Sequence, residues 1–194
     1  MKTITIGFSH SNKQLYLLNR KNNMSKKLIV GFSRPKAFFE PFSWLIRLVQ
    51  WTSYSHAYVR FYLESTNQWI VLQASGLKVN MVTWEHFRQI EVIAKEFEFD
   101  ITDRKNSKII SWSFNKLGLP YNLLSVFGIG LILLFKTFGI KIGNPFSGKG
   151  SLFCSELADI VVSEFLGAHI NELPYDVTPK DLFTYLEKYH KLNE

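Results

Sequence analysis

Cys154 is the only cysteine in a chain of 194 residues, and it stands where a short apolar run meets the start of an amphipathic helix. After Phe153-Cys154-Ser155-Glu156, apolar residues recur at helical spacing (Leu157, Ile160, Val161, Phe165), and Gly167 offers a left-handed stop. The thiol is therefore predicted in the first turn. Unpaired N–H groups and a partial positive charge at a helix N-terminus favour thiolate over thiol and can hold a developing oxyanion. This placement predicts a nucleophile that titrates below the roughly 8.5 of a free thiol. A lone cysteine also suits a small buried apolar position, so the presence of a base decides between the two readings.

Five histidines are available: His10, His56, His86, His169 and His190. Only His56 opens a strand. After it, Ala57, Val59 and Phe61 alternate with Tyr58, Arg60 and Tyr62, which gives the two faces of a sheet. A polar connection from Leu63 to Asn67 leads to a second strand, Gln68-Trp69-Ile70-Val71-Leu72-Gln73-Ala74. Gln73 interrupts its large apolar side chains. A buried amide must be hydrogen-bonded, and the imidazole at the start of the partner strand is a candidate partner. Such an amide orients a histidine without adding charge, as asparagine does in Cys-His-Asn sites. The alternative is a satisfied polar pair within a sheet.

The order of histidine strand, polar residue on the next strand and then cysteine helix resembles the circularly permuted branch of the NlpC-type papain-like hydrolases, the YiiX-like group. In ordinary papain-like enzymes the cysteine comes first. Six segments carry the resemblance: LIVGFSRP, WLIRLVQWTSYSHAYVRF, WIVLQAS, LPYN, LFCSELADIVV and DVTPKDLFTYL, together spanning residues 28 to 188. The resemblance implies an α+β, papain-like fold, with an antiparallel sheet packed against helices and the cysteine on a helix N-terminus. It implies catalytic roles for Cys154, His56 and Gln73, and it adds Ser155, Tyr121 and Tyr58 to Cys154 as candidates for the oxyanion and substrate-lining positions. The family often carries glutamate where this chain has Gln73 and aspartate where it has Asn122. An amide can orient an imidazolium but cannot neutralise it, so the substitution implies tuned-down or degenerate chemistry.

Composition fits one domain with a sizeable core: 46% of residues are hydrophobic and 20% charged. Residues 1 to 27 read as a basic strand and loop, and residues 28 to 194 as the papain-like domain. One cysteine excludes a disulfide within the chain, and the scattered histidines offer no metal-ligand spacing. Neither a metal nor another cofactor is expected. The net charge is +7, and the first fifty residues hold nine lysines and arginines against Glu40 alone. That excess suits a solvated, partly extended arm, or alternatively one that meets an anionic membrane face or an acidic protein; no recognition motif supports sequence-specific nucleic-acid readout. Ile4, Ile6 and Phe8 alternate without forming the apolar core of a signal peptide. A cytoplasmic or virion-associated setting is the resulting expectation.

Leu123 to Phe135 is apolar all round, but its 13 residues fall short of the roughly 20 that cross a bilayer. It reads as a buried or interface helix, with an acyl-chain or membrane contact as the functional alternative. Helices are also predicted around 42 to 51 and 104 to 117, and a strand near 90 to 99. The Gly/Ser/Pro loop from Asn144 to Ser151 delivers Cys154. A last helix is capped by Thr178, Pro179 and Asp181. The sequence thus points to a cysteine-dependent hydrolase or acyltransferase acting on an amide or ester, including lipid or cell-wall peptide substrates. The alternative is a papain-like binding or structural module, including a virion-associated one, with its chemistry reduced.

Overall fold

The computed structural model describes residues 26–37, 40–76, 78–120, 135, 139–140, 153–168 and 177–193. Among these the chain is α+β: one five-stranded antiparallel sheet and five α-helices. The strands are β1 (Lys26–Pro35), β2 (His56–Leu63), β3 (Gln68–Ser75), β4 (Lys78–Thr83) and β5 (Glu91–Ile101), in the spatial order β4-β3-β2-β1-β5. The helices are α1 (Pro41–Gln50), α2 (Trp84–Ile90), α3 (Asp103–Lys116), α4 (Cys154–Val161) and α5 (Pro179–Asn193). The basic segment 1–25, Tyr121, the apolar segment up to Leu134 and the loop before Cys154 lie outside the described residues.

The period-2 pattern of β2 decides which helices pack where. Ala57, Val59 and Phe61 are fully buried together with Leu28, Val30 and Phe32 of β1 and Leu72 and Ala74 of β3. Ile109 of α3, Leu157 and Val161 of α4, and Leu182 and Leu186 of α5 complete this core. Each such Leu, Ile, Val or Phe side chain contributes about 1.5–3 kcal/mol when removed from water. The opposite face carries a smaller cluster in which Tyr58 and Val71 pack on Phe87 of α2. Strand β4 and helix α2 occupy a stretch that sequence periodicity leaves unassigned. Thr83 caps α2, its hydroxyl accepting from the His86 N–H at 3.3 Å.

Gly31 has a steric reason to be glycine. It stands opposite Tyr58 in the β1–β2 register, and a Cβ there would collide with the Tyr58 ring. Gly31→Ala is expected to cost about 1–3 kcal/mol of stability, because the buried ring has nowhere to move. A urea midpoint equal to that of the wild-type chain would contradict this packing.

The ends of the cysteine helix and of α5 follow their local signals. Helix α4 passes into a π-helical turn, Val162–Leu166, and stops at Gly167, whose φ of 70° is left-handed. At α5, Asp181 Oδ2 accepts from the Thr178 N–H at 3.1 Å and from its hydroxyl at 2.6 Å, while the Asp181 N–H donates to Thr178 Oγ1 at 3.2 Å. This is the reciprocal cap read from the sequence.

Candidate active site

Strands β2 and β3 pair from Val59 opposite Leu72 to Leu63 opposite Gln68, and no pairing extends to His56. Strand β3 continues its pairing with β4 as far as Ser75 and Lys78. Between β2 and β3 at this end, His56 Nε2 and Gln73 Oε1 lie 2.8 Å apart. An amide oxygen only accepts, so Nε2 carries the proton, and the neutral ring keeps its lone pair on Nδ1. Gln73 Nε2 in turn donates to Asn80 Oδ1 at 3.2 Å.

Helix α4 packs on β2 and β3 and brings the Cys154 sulfur to the backbone N–H of Ala57, the residue after His56. The N–H groups of Ser155 and of Cys154 itself also reach the sulfur. The sequence-predicted trio therefore meets at one end of the sheet: Gln73 bonds the imidazole, and Cys154 lies against the strand that carries it. Among the described residues the thiol and the imidazole form no direct hydrogen bond. Catalytic hydrogen bonds are often long before substrate binds and tighten afterwards.

The electrostatics correct one expectation. Cys154 is 5% exposed, and burial pushes its thiol above the ordinary value, with the three N–H groups pulling in the opposite direction. The helix terminus acts as anticipated, but desolvation outweighs it. Burial also lowers His56 from 6.5 to about 4, against the upward effect of its bond to Gln73. At neutral pH the pair is thus a thiol and a neutral imidazole. The ring can then act as a general base when the sulfur attacks, without a preformed ion pair.

Two other predicted positions are corrected. Ser155 is fully buried, and its hydroxyl donates to the Val177 carbonyl at 2.7 Å, tying α4 to the entry of α5. Its side chain does not line a substrate site, although its N–H faces the sulfur. Tyr58 is 1% exposed, packs at 4.6 Å between ring centroids on Phe87, and donates to Glu96 Oε1 at 2.8 Å. It belongs to the second core. Tyr121 lies outside the described residues.

Sequence reasoning missed Asn80 and Glu91. Burial raises the Glu91 carboxyl to about 7, opposed by the Ser33 hydroxyl, and its charge in turn disfavours the Cys154 thiolate. Glu156, whose carboxylate accepts from the Phe153 N–H at 3.4 Å, is likewise raised to about 7 by burial. Among the described residues no group of three His, Cys, Asp or Glu side chains is placed to hold a metal ion, and no helix is long and apolar enough to cross a membrane.

These shifts give stability opposite dependences on pH. The raised carboxyls stabilise the folded chain fully below their ordinary 4.5, and that contribution is lost as pH rises through about 7. His56 behaves inversely: its depressed value favours folding above 6.5, and this is lost as pH falls towards about 4. Glu156→Gln keeps an acceptor for Phe153 and removes the charge. Its urea midpoint is expected to exceed that of the wild-type chain at pH 8.5 and to show a much smaller gain at pH 5; the same difference at both values would refute the assignment.

No family model matches the chain, and no curated protein matches it in sequence.

Proposed function

We propose that the chain is a circularly permuted papain-like, NlpC-type cysteine hydrolase or acyltransferase acting on an amide or ester bond. The observation that carries this reading is the His56–Gln73 hydrogen bond at the point where the α4 N-terminus sets Cys154 against Ala57. The order of these elements along the chain and the antiparallel α+β architecture support the same reading.

In the proposed reaction, His56 Nδ1 takes the thiol proton as the sulfur adds to the substrate carbonyl. The oxyanion is held by the Cys154 N–H at the helix terminus. Collapse expels the amine or alcohol, which takes the proton from the imidazolium and leaves a thioester on Cys154. Water, or an acceptor amine or hydroxyl, is then deprotonated by His56 and attacks the thioester, restoring the thiol. The test is a panel of activated esters and amides offered to the wild-type chain and to Cys154→Ala. Acyl release confined to the wild type supports the reading, and equal release by both overturns it.

A second reading is favoured by the 5% exposure and raised pKa of Cys154, with no direct bond to His56. In it the fold serves as a binding or structural module, including a virion-associated one, with its chemistry reduced. Inertness of Cys154 towards every acyl donor would select it.

For substrate, a lipid is proposed over a cell-wall peptide. Trp44, Leu45, Leu48 and Trp51 are 50%, 38%, 68% and 86% exposed on and just after α1, which runs through Thr52–Ser55 into His56. Interfacial tryptophans and leucines with a basic N-terminal segment suit an anionic membrane surface. Sedimentation with anionic vesicles is expected at low salt and should weaken at high salt. Leu48→Glu together with Trp51→Glu should abolish it; undiminished sedimentation of that variant would remove the membrane face.

A further inference from the structure

We infer that Asn80 is a positioning residue that sets the tautomer of His56 through Gln73; this rests on the catalytic reading of His56. The assignment follows from which groups can only accept. Asn80 Nδ2 faces three acceptors at the β3–β4 turn: the Ser75 carbonyl at 3.4 Å, the Ser75 hydroxyl at 3.1 Å and the Lys78 carbonyl at 3.3 Å. Backbone carbonyls have no proton to give, so the nitrogen of the Asn80 amide must occupy that side. Its oxygen is thereby turned to Gln73, directly opposite in the register, and accepts from Gln73 Nε2 at 3.2 Å. That bond presents Gln73 Oε1 to His56 Nε2 at 2.8 Å. The proton is fixed on Nε2, and Nδ1 remains the basic nitrogen.

Each amide is thus oriented by the next, and the series ends on two main-chain carbonyls that cannot reverse. Without Asn80, Gln73 can rotate its amide by half a turn and offer Nε2 to the ring. The imidazole would then carry its proton on Nδ1, where it cannot accept one from the thiol. Asn80 touches neither His56 nor Cys154 in this scheme and acts only through Gln73.

The experiment is long-range ¹H–¹⁵N NMR of the imidazole nitrogens in the full chain above pH 6, with no substrate present. The wild-type chain should show His56 as the Nε2–H tautomer alone. In Asn80→Leu the two nitrogen shifts should move towards each other, reporting a tautomer mixture, while backbone amide shifts far from the site stay in place. Asn80→Asp keeps an acceptor for Gln73, so it should retain the Nε2–H form and titrate at higher pH because of the added negative charge. Unchanged His56 nitrogen shifts in Asn80→Leu, or a tautomer mixture already in the wild type, would overturn the inference. Because no turnover is read, loss of the catalytic reading would leave the tautomer assignment through Gln73 standing and remove only its catalytic meaning. Conversely, acyl transfer with a mixed tautomer would sink the inference alone.

Discussion

Replacing His56 by alanine is expected to slow acyl transfer onto Cys154 by about 10²–10⁴-fold, the span general-base catalysis supplies. The expectation follows from the protonation state of the pair. Burial pushes the thiol up and the imidazole down to about 4, so at neutral pH little thiolate exists without a base to take the proton. Burst kinetics with an activated ester at pH 7 would measure it. In the wild-type chain the acylation rate should also rise as pH passes upward through about 4, where His56 becomes neutral, and that step should vanish in His56→Ala. Gln73→Ala should slow the reaction less than His56→Ala, because the amide orients the ring without taking part in proton transfer. Equal rates in the wild type and His56→Ala would remove the imidazole from the mechanism.

Glu96→Ala is expected to destabilise the fold by about 2–4 kcal/mol, the largest effect on stability anticipated outside the main core. Its carboxylate holds Arg60 in a fork, with Nε at 3.2 Å from Oε1 and the terminal nitrogen at 2.8 Å from Oε2, and it also accepts from Tyr58. Arg60 itself is 9% exposed, and its guanidinium lies 4.1 Å from the Trp84 ring centroid and 5.0 Å from that of Trp69. Removal of the carboxylate strands a poorly hydrated cation between two indoles. Combining Glu96→Leu with Arg60→Met should recover much of the loss, since no charge then remains. Urea unfolding of the single and double variants checks this; a double variant no more stable than Glu96→Ala would show that packing, not the stranded charge, sets the cost.

Much of the site was legible because its determinants are local. Alternation after His56 placed Ala57, Val59 and Phe61 in the core, and the apolar surroundings of Gln73 required its amide to find a partner. The cap of α5 needs only Thr178 and Asp181, three residues apart, and is legible directly. The misread positions depend on distant parts of the chain. Tyr58 alternates as an outward residue, but the seven-residue α2, too short to announce itself by periodicity, covers that face. Ser155 was placed correctly on its helix, yet its partner, the Val177 carbonyl, is set by the return of a distant segment. For Cys154 the helix-terminal field is a local property, whereas the burial that outweighs it comes from tertiary packing. Asn80 carries no local signal, because its relation to Gln73 arises from the β3–β4 register, which no single-strand pattern encodes.

The most direct test is to expose the native chain to an activated acyl ester and locate the adduct by peptide mass spectrometry. A single acyl group on Cys154, released by hydroxylamine as a thioester and formed far more slowly in His56→Ala, is the predicted result. An adduct on any other residue, or an unmodified Cys154 after complete reaction of the ester, would contradict a thioester mechanism on this fold.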